Sequence, residues 1–268
     1  MKRGLLAAVL ALVVALAPPA HSSPRPLVLV YGDSLVREAE PYLRDILDHV
    51  AQVDERVVGA PGAATCDVLP LMRDDAAHLR PALVIIAFSG NDVTPCMRDG
   101  HGQQLQGQAV VEKYRADIST AIAYFRPGAP QIWLGTAPIS LGAQVKSEDG
   151  DARMRAMEHD LERVNSRVHV TNSGDAVLDH GWWTAMLPCL LREPCTGGVD
   201  THGNRANRVR SIDGTHFCPV PYAVFDNCPV YASGGERYAL GLLVVPLRAH
   251  GWYDAQRASV SLGAGWNP

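Results

Sequence analysis

The 268-residue chain has no strong excess of charge of either sign, and this limits the partners that it is expected to bind. Its formal net charge is −4, and only 19% of its residues are charged. Proteins that bind nucleic acid usually concentrate lysine and arginine on one face, and proteins held at anionic membranes carry basic clusters. We therefore expect neither a nucleic acid nor an anionic membrane surface as the main partner.

Long hydrophobic runs are also scarce. The one clear run, GLLAAVLALVVALA at residues 4–17, follows Lys2 and Arg3. A basic start followed by a short apolar run is typical of a secretory signal peptide, and the run is short for a membrane span. We predict a signal peptide over residues 1–23, with its cleavage point open and an uncleaved anchor as the alternative. The remainder, 24–268, is predicted to be a single exported domain without stable membrane insertion, and we expect a monomer.

The sequence has no Cys-x-x-Cys pair, which argues against a structural zinc site. An even number of cysteines in an exported chain favours disulfides instead. The spacing alone does not fix the pairing, and pairing between neighbours along the chain is our working hypothesis. We expect no bound metal. The six cysteines are Cys66, Cys96, Cys189, Cys195, Cys218 and Cys228.

Short apolar runs rich in β-branched residues alternate along the chain with segments of helical periodicity. This alternation predicts an α/β fold with a parallel sheet covered by helices on both faces. Residues 179–207 show no regular pattern, and a helical pattern at 234–249 is interrupted by Pro246. The predicted strands lie at 26–31, 56–58, 83–88, 131–136 and 168–171, and the other predicted helices at 35–50, 67–79, 108–125 and 151–164.

Polar residues follow the first three predicted strands, where ligands bind in parallel sheets. A serine becomes a nucleophile only beside a base that a third group orients. Ser34 follows the first strand, and Asp213 stands three residues before His216, a separation that lets a carboxylate reach the histidine ring. Gly62 and Asn91 follow the second and third strands and could donate hydrogen bonds to an oxyanion.

Each of these features also has a plainer interpretation. Ser34 could be only the N-cap of the next helix. Asp213 and His216 could lie in a polar surface loop, Gly62 could serve only a turn, and Asn91 could serve only a loop.

Taken in order, these blocks resemble the SGNH or GDSL hydrolases. The matching residues are Gly32-Asp33-Ser34-Leu35, Gly62, Asn91-Asp92 and Asp213-x-x-His216, and the resemblance covers roughly residues 27–249. It implies a three-layer α/β/α sandwich with a flavodoxin-like parallel sheet of about five strands. It also implies that Ser34 is the nucleophile, His216 the base and Asp213 its orienting acid, with Ser34, Gly62 and Asn91 as oxyanion donors.

The chain departs from this family at one point. The third block usually reads Gly-x-Asn-Asp, whereas this chain has Ser89 at the first position. The absence of a Gly-x-Ser-x-Gly sequence argues against the other common type of serine esterase.

The expected activity is that of a secreted esterase or lipase which cleaves acyl esters of small molecules, lipids or glycans through an acyl-enzyme and without a cofactor. Two alternatives remain open. In one, the enzyme is an acyltransferase or acetylesterase that acts on cell-envelope glycans. In the other, the site is inactive and the protein is a secreted binding module.

Overall fold

A computed structural model describes residues 24–128, 130–146, 149–190, 193–195, 197–220 and 228–261. The predicted signal peptide at 1–23 lies outside these residues. Within them, five strands form one parallel sheet in the order β2-β1-β3-β4-β5. The strands are β1 (Leu27–Gly32), β2 (Asp54–Gly59), β3 (Leu83–Ala87), β4 (Gln131–Gly135) and β5 (Val168–Thr171).

Helices follow the strands and cover both faces of this sheet. The first, α1, continues into a π-helical turn at Ile46–Ala51. The helices are α1 (Ser34–Asp45), α2 (Thr65–His78), α3 (Gln108–Tyr124), α4 (Leu141–Lys146), α5 (Gly150–Val164), α6 (Ser233–Ala249) and α7 (Ala255–Ser261).

The two faces of β1 divide the hydrophobic core into two clusters. Val28 and Val30 pack on one face with residues of α1 and α6, whereas Leu29 and Tyr31 pack on the other with residues of α2, α3 and α5. Successive side chains of a strand point to opposite faces, so an unbroken apolar strand needs a helical layer on each side. The predicted three-layer α/β/α sandwich with five parallel strands is confirmed.

Helix α6 shows one difference from the sequence-based expectation. Pro246 was expected to interrupt it, yet the helix runs without a break from Ser233 to Ala249. Proline removes one hydrogen bond and crowds the preceding turn, at a cost of about 3 kcal/mol. Burial of Leu240, Leu243 and Leu247 on the same helix offsets that cost, because each is at most 2% exposed.

The described residues between 179 and 207 form more regular structure than their sequence suggests. Two small antiparallel ribbons occur here, β6 (Leu178–Asp179) with β7 (Trp182–Trp183), and β8 (Met186–Pro188) with β9 (Ala206–Arg208). Strands of two or three residues are too short to show a period-2 pattern. Their pairing therefore could not be read from the sequence.

Three disulfides join the cysteines as neighbours along the chain, as the working hypothesis proposed. The pairs are Cys66–Cys96, Cys189–Cys195 and Cys218–Cys228. Among the described residues, none of the helices combines the length and apolar character that crossing a bilayer requires.

Candidate active site

The sheet order brings the three polar loops together. β1 lies between β2 and β3, and all three strands run parallel. The loops that leave their carboxyl ends therefore lie side by side at one edge of the sheet. These loops contain Ser34, Gly62 and Asn91.

Ser34 is the first residue of α1, and it is not the N-cap. That position belongs to Asp33, whose Oδ1 accepts a hydrogen bond from the backbone N–H of Leu35 at 3.0 Å. The first amides of a helix have no partner inside the helix. The Ser34 N–H is therefore placed to bind a negative charge that forms beside its own hydroxyl.

His216 reaches this edge from a distant part of the chain. Its Nε2 lies 3.0 Å from Ser34 Oγ, and its Nδ1 lies 2.7 Å from Asp213 Oδ2. The ring is mostly buried, with 18% of its side chain exposed, whereas the Asp213 side chain is 48% exposed. Serine, histidine and aspartate thus form a continuous hydrogen-bonded row.

The backbone around Asp213 fixes its carboxylate. Its Oδ1 accepts hydrogen bonds from the N–H groups of Thr215 at 2.8 Å and His216 at 3.0 Å. Partial burial acts to raise the pKa of Asp213, but these two bonds and the His216 ring together hold that pKa below its usual value. Gly214, between Asp213 and Thr215, has φ of +78°, a conformation that glycine adopts at little cost. The loop therefore presents an ionised carboxylate to Nδ1.

The carbonyl oxygen of Gly214 anchors the same loop to its surroundings. It accepts hydrogen bonds from the Leu141 N–H and from the Trp183 indole, each at 2.9 Å. Neither partner was identified from the sequence. The indole nitrogen of Trp183 thus binds the backbone between Asp213 and His216.

Gly62 lies in an exposed turn with φ of +74°. A side chain at this position would meet nothing within 4 Å. Glycine is therefore favoured here by the positive φ angle and not by a lack of space.

Asn91 is partly buried, and its side-chain amide has two acceptors. Nδ2 lies 3.1 Å from the carbonyl oxygen of Ala63 and 3.2 Å from Asp33 Oδ2. The backbone carbonyl oxygen of Asn91 accepts a hydrogen bond from the Tyr114 hydroxyl at 2.9 Å. Both amide protons therefore have partners, and a bound oxyanion would share or replace one of them.

Asp33 connects these loops. Its Oδ2 accepts both the backbone N–H and the hydroxyl of Ser89, each at 2.6 Å, besides the amide of Asn91. Burial raises the pKa of the Asp33 carboxyl, and the hydrogen bonds from Ser89 and Leu35 oppose that rise. The serine at the unusual position of the third block thus binds directly to the aspartate beside the candidate nucleophile.

Three other large aromatic side chains belong to the core. Phe88, Trp133 and Phe217 are all at most 6% exposed. Trp182, by contrast, is 66% exposed.

Comparison with known proteins gives structural likeness only. No family model matches the sequence, and no curated protein matches it significantly. A solved structure from Bacteroides fragilis, described as a "putative acylhydrolase", is 14% identical, with 90% of this chain and 94% of that chain covered and a TM-score of 0.50.

Two further solved structures are less similar. A GDSL-like lipase from Bacteroides thetaiotaomicron is 14% identical, with 91% of this chain and 97% of that chain covered and a TM-score of 0.48. An acetylxylan esterase from Geobacillus stearothermophilus is 16% identical, with 58% and 78% covered and a TM-score of 0.42. The chain has the three-layer fold of the SGNH hydrolases. This follows from its five-stranded sheet with two helical layers and from the likeness to the Bacteroides fragilis structure.

Proposed function

We propose that this protein is a serine esterase of the SGNH type that hydrolyses carboxylic esters through an acyl-enzyme on Ser34. One observation carries the proposal: the hydrogen-bonded row from Ser34 Oγ through His216 to Asp213, with lengths of 3.0 Å and 2.7 Å. These are the contacts that activate a serine hydroxyl, since the base lies within reach of the nucleophile and a carboxylate orients the base.

In the acylation step, Ser34 Oγ attacks the ester carbonyl carbon while its proton passes to His216 Nε2. The electron pair of the carbonyl moves to oxygen and forms a tetrahedral oxyanion. Asp213 accepts the Nδ1–H bond, keeps Nε2 free as a base and stabilises the imidazolium. When the oxyanion collapses, the bond to the alcohol oxygen breaks, and His216 gives its proton to the departing alcohol.

The second step reverses these roles with water. His216 Nε2 takes a proton from water, the hydroxyl attacks the acyl carbon, and Ser34 leaves with the proton returned from the ring. The carboxylic acid is then released. The row is built from side chains alone, so no cofactor takes part in this proposal.

Donors to the oxyanion come from three loops at the same sheet edge. The N–H groups of Ser34 and Gly62 and the amide of Asn91 are the proposed set. One such donor typically contributes about 10²–10³ in rate. Asn91 serves once its bond to Asp33 or Ala63 is shared with the oxyanion.

A labelling experiment tests the nucleophile directly. The protein is incubated with a fluorophosphonate probe and assayed in parallel with p-nitrophenyl acetate. Ser34→Ala should lose both probe labelling and ester turnover while it keeps its melting temperature. Ser119→Ala, an exposed hydroxyl on α3, is the matched control and should behave as the unaltered protein. Turnover retained in Ser34→Ala would refute the assignment.

Water is proposed as the acceptor of the acyl group because the site is open. Asp213 is about half exposed and the His216 ring is partly exposed, so an acyl-enzyme on Ser34 would stand near solvent. The products distinguish hydrolysis from transfer: with a sugar added as a competing acceptor, the acyl group should appear as free acid. Acylated sugar as the main product would favour the acyltransferase.

We also propose that the protein works outside the cytoplasm. Three disulfides support this, because such bonds persist in oxidising compartments. The test is to express the whole chain and to determine the N-terminus of the protein found outside the cytoplasm. We expect the exported protein to begin close to residue 24. A protein that stays in the cytoplasm and still carries residues 1–23 would contradict the proposal.

A further inference from the structure

The helix that begins with Ser34 carries a buried carboxylate one turn further on. Glu38 is only 1% exposed. Its Oε2 accepts hydrogen bonds from the backbone N–H of Phe217 at 2.5 Å and of Cys218 at 3.1 Å. These two residues directly follow His216. A single side chain thus joins the helix of the candidate nucleophile to the segment of the candidate base.

A buried carboxylate is unfavourable for folding unless hydrogen bonds or a charge compensate it. An apolar side chain at this position would extend the buried stripe of α1, which already contains Leu35, Ala39 and Leu43. Glu38 therefore gives a directed contact that hydrophobic packing cannot give. Its two acceptor bonds fix both the distance and the orientation of the backbone after His216.

A buried cation also contacts this loop. Arg210 is fully buried, and its guanidinium carbon lies 5.5 Å from the centre of the Phe217 ring. Its Nη2 lies 3.4 Å from the carbonyl oxygens of Ile139 and Gly214. Gly214 stands between Asp213 and His216, so this contact reaches the middle of the catalytic loop.

The Arg210 guanidinium makes few hydrogen bonds to the described residues. Its Nε and Nη1 have no hydrogen-bond partner among the described residues. Burial lowers the pKa of the guanidinium to about 10, while the nearby carboxylates of Asp213, Asp151 and Glu38 act to raise it. The cation therefore lies in the field of both Glu38 and Asp213.

We propose that Glu38 and Arg210 are positioning residues that together hold the loop of His216 in register with Ser34. Glu38 fixes the segment after His216 to the helix of Ser34. Arg210 contacts the Gly214 carbonyl before His216 and the Phe217 ring after it. Neither residue touches the substrate. This proposal rests on the proposed function, because it concerns the geometry of the same serine and histidine.

The position of His216 relative to Ser34 needs such a link because the two residues come from distant parts of the chain. Ser34 and His216 are 182 residues apart, and the 2.7 Å bond to Asp213 lies within the loop itself. That bond orients the ring within the loop but leaves the loop free relative to α1. A displacement of about 1 Å can reduce catalysis by about 10²-fold, so a fixed link between loop and helix has a large effect on rate.

The test compares two substitutions of Glu38 with a control on the same helix. Glu38→Gln keeps the shape and an oxygen acceptor but loses the negative charge. Glu38→Ala removes both the acceptor and the charge. Glu40→Gln is the control, because Glu40 lies on the same helix and pairs with Arg37 and Arg44 rather than with the segment of His216. For each folded protein, kcat, KM and the rate of fluorophosphonate labelling are measured below the melting temperature.

We expect kcat to fall by about 10-fold in Glu38→Gln and by about 10²-fold in Glu38→Ala, with KM changed by less than about threefold. The labelling rate should fall by the same factors, because it reports the same serine and histidine. The control should retain kcat. A role in stability alone would instead lower the melting temperature and leave kcat per folded molecule unchanged.

Three results would overturn the proposal: unchanged kcat in Glu38→Ala, a loss seen equally in Glu40→Gln, or failure of both Glu38 variants to fold, which would make Glu38 a folding residue. Failure of the proposed function looks different, since the unaltered protein would then neither turn over esters nor react with the probe at Ser34.

Discussion

The pH dependence of stability should reveal another buried carboxyl, Glu158 on α5. This side chain is 4% exposed, and its Oε2 has no hydrogen-bond partner in the described part of the chain. Burial raises the pKa of Glu158 to about 8, although the charge of Arg155 opposes the rise. The folded protein therefore keeps a proton on Glu158 at a pH where the unfolded chain has lost it.

The sign and size of the effect follow from this difference in proton binding. Stability falls with rising pH wherever the folded state binds more protons than the unfolded state. For Glu158, this occurs between the usual pKa of 4.5 and about 8. Each pKa unit corresponds to about 1.4 kcal/mol. Ionisation of Glu158 in the unfolded chain therefore lowers the free energy of unfolding by on the order of 4–5 kcal/mol by pH 8.

Glu158→Gln isolates this contribution, because glutamine has nearly the same shape and no charge at any pH. The assay is denaturant unfolding of both proteins at pH values from 4.5 to 9. The stability of the variant relative to the unaltered protein should rise across this range and level off above pH 8. Glu112→Gln, at an exposed position of α3, should show no such rise. Parallel curves for Glu158→Gln and the unaltered protein would refute the reasoning.

Three further changes test the site and its frame. Asp213→Asn places an amide against Nδ1 of His216 and favours the wrong tautomer, so kcat should fall by about 10⁴-fold with little change in KM; a loss below tenfold in steady-state kinetics would contradict the orienting role. Asn91→Ala removes one proposed oxyanion donor and should lower kcat by about 10²–10³-fold; an unchanged kcat would mean that its amide stays with its present acceptors. Replacing both Cys66 and Cys96 by serine opens a link that spans 30 residues and should lower the free energy of unfolding by about 3–4 kcal/mol; unaltered denaturant midpoints would show that this bond contributes little.

Four strands of the central sheet could be predicted because their sequences are largely apolar, whereas β2 begins with charged residues and was predicted only over 56–58. Leu83–Ala87 is apolar throughout and fully buried, as a strand covered on both faces must be. The order of the strands was not available in the same way, since each strand could pair with any other. The placement of Ser34 beside His216 depends on that order and on a loop 182 residues away.

The parts that sequence reasoning missed are those whose role depends on distant neighbours. Glu38 offered a weak signal, a glutamate on the apolar stripe that begins at Leu35. Arg210 offered none, because an arginine in an irregular segment is usually exposed. Trp183 and the last helix, Ala255–Ser261, likewise gave no pattern that separates them from a polar loop.

Ser89 marks the point at which this chain departs from the usual third block, and the structure indicates how the site accommodates it. A serine at this position places its hydroxyl against Asp33 at 2.6 Å, so the carboxylate next to Ser34 receives a donor that glycine cannot supply. The same oxygen accepts the Asn91 amide. Since Asp33 also caps α1 through Leu35, it links the start of the helix that bears the candidate nucleophile to the loop that bears the proposed oxyanion donor. A carboxylate that shares its acceptor capacity among more donors binds each of them less exclusively. Because Ser89 already supplies two donors to this oxygen, we expect the Asn91–Asp33 hydrogen bond to be the one that a bound oxyanion would share.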